Sequence, residues 1–193
     1  MNTFTKSALM GATMMTIAGT ATADATKSIA ENAIENGSFT TLIAAVQAAG
    51  LADELMGDGN FTVFAPTDDA FAALPEGSVE RLLLPENMEA LLALLSAHVI
   101  PTEVGSRYFD LAAVGNADIA LNDQDIEGFP GGLKLDSIGN TDVNVMKSGS
   151  VYFVMTDDQT LDNTREPAEI TIADIESSNG VIHVIDQVLQ PRS

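Results

Sequence analysis

The sequence predicts an α+β fold, with helices packed against an antiparallel β structure, on three observations. Helical apolar spacing clusters in the first half of the chain, and short β-branched runs separated by turn residues cluster in the second. No internal repeat or low-complexity linker divides the two, so they read as one domain. In order along the chain, Ile29, Ala30, Ala33 and Ile34 fall at helical spacing before Gly37, and Phe39, Leu42, Ile43 and Val46 repeat the pattern before Gly50. Leu51 to Met56 add a further turn before Gly57-Asp58-Gly59-Asn60. Glycine suits these helix ends because it takes left-handed backbone angles at no steric cost. Phe61 to Phe64 reads as a short strand stopped by Pro66, and Thr67 as the N-cap of a helix that carries Asp68 and Asp69 in its first turn. Phe71 and Leu74 face inward before Pro75 closes that helix. After Pro85, the stripe Met88, Leu91, Leu92, Leu95 predicts a stronger helix, and Ala97 to Ile100 a short strand leading to Pro101.

In the second half, Ile119 to Leu121, Leu133 to Leu135, Val143 to Val145, Val151 to Met155 and Ile170 to Ile172 are strand candidates. The run 151–155 is apolar on both faces and predicts a buried central strand. Residues 156–168 read as a loop. Asn179-Gly180 is expected to supply a left-handed turn into a last strand over Val181 to Leu189.

The N-terminus has the order of an export signal. Met1 to Ser7 carries Lys6 and no acid, Ala8 to Ala18 is small and apolar, and Thr20-Ala21-Thr22-Ala23 offers a small-x-small cleavage site. The apolar stretch is shorter than the about 20 residues that a spanning helix needs. Residues 1–23 are therefore expected to be a signal peptide, and the product to be exported, to the periplasm or the exterior, with no membrane insertion. The chain has no cysteine, which excludes disulfides, thiolate metal sites and cysteine nucleophiles. Its net charge of −20, from 8 basic and 28 acidic residues, argues against nucleic acid, whose binding rests on Lys and Arg neutralising phosphates. Contact with an anionic surface would need bridging by divalent cations.

Only two histidines occur, His98 and His183, each among apolar residues. A buried imidazole must engage both nitrogens, so both read as structural, with Asp186 the expected partner of one of them. Pro66 and Thr67 form a strand-to-helix corner, with Asp68 beside it. No Gly-x-Ser-x-Gly elbow, Gly-rich phosphate loop or His-Glu-x-x-His pattern occurs. The expectation is a protein that is not an enzyme and holds no cofactor and no metal. Asn122-Asp123-Gln124-Asp125-Ile126-Glu127-Gly128 gathers oxygen ligands but lacks the full calcium loop.

Three segments carry a resemblance. Thr62-Val63-Phe64-Ala65-Pro66-Thr67-Asp68-Asp69-Ala70-Phe71, Leu94-Leu95-Ser96-Ala97-His98-Val99-Ile100-Pro101 and the closing Asn179-Gly180-Val181-Ile182-His183-Val184-Ile185-Asp186-Gln187-Val188-Leu189-Gln190-Pro191 are similar, in order and spacing, to the signatures of the fasciclin (FAS1) family. The resemblance covers residues 27–191. It implies a β-sandwich wedge with helices packed around it. It also implies a non-enzymatic cell-adhesion or surface and matrix interaction module, whose partners are a cell-surface or matrix protein or polysaccharide. The family's Tyr-His pair stands here as Ala97-His98, and its Asp-Ile dipeptide as Asp174-Ile175, so the resemblance assigns His98, Asp174 and Ile175 as candidate interaction residues. The competing expectation is a periplasmic or secreted binding protein for a small ligand or polysaccharide, marked by an apolar pocket with convergent polar groups.

Overall fold

The computed structural model describes residues 26–57, 59–113, 127–129, 132–156 and 166–190. The expected signal peptide, the strand candidate at 119–121 and all but Glu127 and Gly128 of the oxygen-rich turn lie outside the described residues.

Three helices open the fold: α1 (Ile29–Asn36), α2 (Thr40–Ala49) and α3 (Ala52–Met56). Ser28 caps α1 in a reciprocal capping box with Glu31, and Gly37 ends it at φ 72°. Strand β1 (Phe61–Pro66) runs through Pro66, and Thr67 caps α4 (Asp68–Ala72) by accepting the Ala70 N–H. A helix that no local pattern announced, α5 (Ser78–Leu82), precedes one 3-10 turn at Pro85–Asn87 and α6 (Met88–Ala97). The buried stripe of α6 is Leu91, Leu94, Leu95 and Ala97, so Leu94 takes the core place expected of Leu92. The strand that follows, β2, is only Val99–Ile100, because Ala97 ends α6 and His98 is its C-cap. Then come α7 (Ser106–Ala113), β3 (Glu127–Phe129), β4 (Gly132–Asp136), β5 (Asp142–Ser148), β6 (Val151–Thr156), β7 (Ala168–Ser177) and β8 (Gly180–Ile185).

Among the described residues the strands run in the order β2-β1-β8-β7-β6-β5-β4-β3. Among the described residues only the β1–β8 pair is parallel, from Phe61 opposite Gly180 to Pro66 opposite Ile185. Strand β7 meets β6 through Ala168 and Glu169 alone, while its further length follows β8 across two register shifts. The order therefore bends at β7 into two half-sheets that face each other. Phe64, Ile170 and Ile185 from one half meet Leu133, Leu135, Val143, Val145 and Val154 from the other, and Phe109 and Ala112 of α7 join them. This is the wedge, an α+β fold in which non-consecutive strands close one core.

A second core fills the other face of β1 and β8. Val63, Ala65, Ile175, Ile182 and Val184 pack against Ile29 and Ala33 of α1, Leu42 and Ala45 of α2, and Leu91, Leu94 and Leu95 of α6. Strands β1 and β8 are thus buried on both faces, and all six residues of β8 are buried. The run 151–155 is not the buried centre: Val151, Tyr152 and Phe153 are half-buried on both faces of β6, and burial begins at Val154.

The expected turn is present at Asn179-Gly180, with Gly180 supplying its positive φ, and Asn179 has a further task. Its side chain is a buried bracket that accepts the Ile29 N–H at 2.9 Å and donates to the carbonyls of Leu55 at 2.7 Å and Gly57 at 3.1 Å. Gly180 carries the positive φ, 139°, and a Cβ there would lie 1.9 Å from the Phe61 carbonyl oxygen. The glycine is required by the close approach of β1.

Candidate functional site

Asp174 stands at φ 58°, within the second register shift of β7, between Ile172 and Ile175. A residue other than glycine tolerates this region best when it is Asn or Asp. The kink turns the carboxylate out of the sheet and onto the start of α7. Its Oδ1 accepts the Ser106 N–H at 2.7 Å, and its Oδ2 accepts from the Ser106 hydroxyl. Helix α7 follows Gly105, which has no side chain to cap it, so a residue 68 positions away does so.

The same kink is held from below. The Asp174 N–H donates to His183 Nδ1 at 3.2 Å, which makes Nδ1 the acceptor and leaves the proton on Nε2, donated to the Val104 carbonyl at 2.8 Å. His183 lies between the rings of Phe64 and Phe109, with centroids 5.6 and 5.1 Å away. Burial lowers its pKa, against the Val104 carbonyl and the Asp174 charge, so it is neutral near pH 7.

His98 plays the matching part on the other side. Its Nδ1–H donates to the Leu94 carbonyl at 2.7 Å, and its Nε2 accepts the Leu189 N–H at 3.0 Å. Burial lowers its pKa to about 4, against the Leu94 hydrogen bond. The ring is 1 % exposed. His98 is therefore no contact residue, contrary to the reading carried by the Tyr-His resemblance: it closes α6 and ties down the C-terminal segment. Asp186 partners neither histidine, because all four ring nitrogens meet backbone groups. Its Oδ1 accepts the Glu169 N–H at 2.7 Å.

The Asp-Ile dipeptide is split. Asp174 is exposed, whereas Ile175 is 6 % exposed and part of the helix-side core, so Ile175 is a packing residue and not a contact. Asp68 is also more than a first-turn acid. Its Oδ1 accepts the Thr41 N–H at 2.8 Å, and its Oδ2 accepts the Thr40 N–H at 3.2 Å and the Thr40 hydroxyl at 2.6 Å. It caps α2, whose own N-cap residue Phe39 has no side-chain acceptor. Partial desolvation opposes ionisation, but the Thr40 and Thr41 hydrogen bonds outweigh it and hold the carboxyl at about 2.

Around Asp174 lies an open polar cleft of about 630 Å³. Asn60, Thr102, Glu103 and Glu176 line it, with Ser106, Arg107 and Tyr108 from the first turn of α7. The Arg107 guanidinium stands over the Tyr108 ring, 5.0 Å from its centroid. Farther along α7, the Asp110 Oδ1 accepts from Lys147 Nζ at 2.6 Å and from the Tyr152 hydroxyl at 2.5 Å. These contacts, the Lys147 bond first, lower the Asp110 pKa. Both tyrosines of the chain thus stand on this side of the molecule, each beside a cation. Sequence reasoning missed α7 and every cleft residue except Asp174. The one available signal was the segment Ser106-Arg107-Tyr108-Phe109, which concentrates a cation and a tyrosine in a chain poor in both.

Hydroxyls, carboxylates, an amide and a guanidinium on an exposed rim equip this cleft to bind polar groups. Among the described residues, no group of three or more His, Cys, Asp or Glu has the arrangement of a metal site. Residues 37–191 match the model of the fasciclin domain.

The chain belongs to the fasciclin domain family.

Helix α1 lies ahead of the matched span and packs into the same core. The fasciclin domain here is 39 % identical over 171 residues to Protein sll1483 of Synechocystis sp. (strain ATCC 27184 / PCC 6803 / Kazusa), covering 89 % of this chain and 77 % of that protein. It is 33 % identical over 153 residues to the transforming growth factor-beta-induced protein ig-h3 of Sus scrofa, covering 79 % of this chain and 18 % of that one. A solved FAS1 domain pair from the insect cell adhesion molecule Fasciclin I superposes with a TM-score of 0.56 at 22 % identity, over 82 % of this chain and 47 % of that one. That likeness shows the fold. Fasciclin domains occur in adhesion proteins, Fasciclin I among them. Among the described residues, no helix is long and apolar enough to cross a membrane.

Proposed function

We propose that this fasciclin domain is an exported, non-catalytic module for cell adhesion or for attachment to a surface or matrix, and that it makes contact through the cleft beside α7. The observation that carries this reading is the exposed rim of Glu103, Asp174 and Glu176 around Arg107 and Tyr108, held by a kink whose backbone is bonded to the buried His183. The histidines favour the non-catalytic reading, since their four ring nitrogens already serve backbone groups and neither ring is free to act as a base. The partner is a protein or polysaccharide at a cell surface or in a matrix. At a net charge of −20, contact with an anionic partner requires divalent cations between the two surfaces. A strain lacking the gene is expected to lose attachment to cells or surfaces, and the purified protein is expected to restore it in Ca²⁺ or Mg²⁺ but not in chelator. Attachment unchanged by deletion counts against the adhesive role, and attachment indifferent to chelator counts against bridging.

One observation favours a polysaccharide over a protein partner. The cleft sets carboxylate, amide and hydroxyl groups around one opening, which suits the many hydroxyls of a sugar. A glycan array probed with the purified domain separates the two partners.

A further inference from the structure

The helix-side core is not filled to the surface. Between α1, α2 and α3 runs an apolar slot, open at one end, with a volume of about 90 Å³. Its floor is Leu42, Leu55, Val63, Ala65 and Ile182, and its mouth is formed by Ala30 and Ile34 of α1 with Gln47 of α2. Close-packed interiors leave few voids larger than a water molecule, and this one is several times that size. His98 also touches the slot, but both its nitrogens are engaged elsewhere, so among the described residues the interior offers water no free polar partner. A water needs two to four such partners, and an apolar cavity without them stays dry.

We infer that the slot is a binding site for a small, uncharged, apolar molecule of about the bulk of one aromatic ring. The dimensions choose the size, since a helix of about 10 Å diameter has no room to enter. The lining chooses the polarity. The rim chooses the charge: Ala30 at the mouth and Ala52 in the lining are followed by the exposed carboxylates of Glu31 and Asp53, and the whole chain stands at −20. A carboxylate or sulfonate on the ligand is held off by that field. Ile34 marks the entrance, because it lines the slot and still keeps 56 % of its surface exposed. This site is separate from the cleft beside α7 and stands or falls independently of the adhesive reading.

The test is a titration of the full domain with toluene and, in parallel, with benzoate, its charged analogue. The readouts are the methyl NMR resonances of Ile34, Leu42, Leu55 and Ile182 and the Tm. Toluene is expected to move these methyl signals saturably and, at a hundredfold excess over its Kd, to raise the Tm by about 5–10 °C. Benzoate is expected to bind at least about tenfold more weakly. Ala30→Leu, which fills the slot from its mouth, is expected to abolish the toluene response while raising the Tm of the free protein. Ile34→Glu, at an exposed position that the fold does not depend on, is expected to weaken toluene about tenfold. Methyl signals unmoved by toluene, a response equal in wild type and both variants, or benzoate binding as well as toluene would each overturn the proposal.

Discussion

Helices α2 and α7 both begin without a cap of their own, and each takes one from a distant aspartate. Asp68 reaches α2 across 28 positions, and Asp174 reaches α7 across 68. The two differ in what they stand on. Asp68 sits in an ordinary first turn, and two of the three groups it accepts from are backbone N–H groups that cannot reverse direction. Asp174 sits at φ 58°, accepts one backbone N–H and one rotatable hydroxyl, and is tied through its own N–H to a buried histidine. The first is a joint between helices whose work ends with packing. The second places an exposed carboxylate beside a polar cleft and couples it to the centre of the sheet, and that contrast separates the structural aspartate from the candidate functional one.

Acid is expected to act most strongly, and on both sides. The two histidines are held neutral in the fold, with pKa values below the ordinary 6.5. Between the folded and unfolded values the unfolded chain binds more protons, so stability is full above about pH 6.5 and falls as pH drops toward 4. His98 alone accounts for about 3 kcal/mol over that window, and His183 adds in the same direction. Denaturant melts between pH 7 and 4 measure the slope, which His98→Gln should reduce.

The split of the dipeptide comes next. Ile175→Ala is expected to cost about 2–3 kcal/mol by opening the helix-side core, and to reduce attachment only as far as it unfolds the domain. Attachment lost with stability intact would make Ile175 a contact after all.

The caps themselves give the smaller effects. Asp68→Asn is expected to cost about 1 kcal/mol near pH 7, since one of its oxygens faces an irreversible donor. The contribution of Asp68 is present above its unfolded value of 3.8 and lost as pH falls through about 2, so the variant should flatten the melts in that range. Asp174→Asn is expected to change stability by less than about 0.5 kcal/mol: Asn tolerates the same φ, its oxygen accepts the Ser106 N–H, and its amide donates to the Ser106 hydroxyl, which turns to accept. A cost at Asp174 equal to that at Asp68 would erase the distinction between the two caps.

Much of this fold was legible because its signals are local. Thr67 before an acidic first turn, Gly37 and Gly50 after apolar stripes, and the β-branched runs each follow from a few neighbouring residues. What was not legible depends on residues far apart. Helix α7 has no cap in its own sequence, so its start is set by a strand residue that only the fold brings near. Asn179 read only as a turn residue because its further task, holding α1 to α3, is visible only once they are packed. Asp186 looked like a histidine partner for want of the knowledge that backbone groups would take every ring nitrogen. Of the candidate site, Asp174 alone was legible. His98 and Ile175 carry the family pattern but serve the core, Glu176 follows the dipeptide without belonging to it, and Glu103, Arg107 and Tyr108 lie on a segment that no motif marks.

The most direct test of the claim that the cleft makes the contact is to neutralise two carboxylates of its rim that bear no structural load. Glu103→Gln/Glu176→Gln should melt like the wild type, because both side chains are exposed. Attachment of this variant to cells or surfaces in Ca²⁺ is predicted to fall about tenfold. Attachment equal to that of the wild type at the same stability would contradict the assignment of the cleft as the contact face.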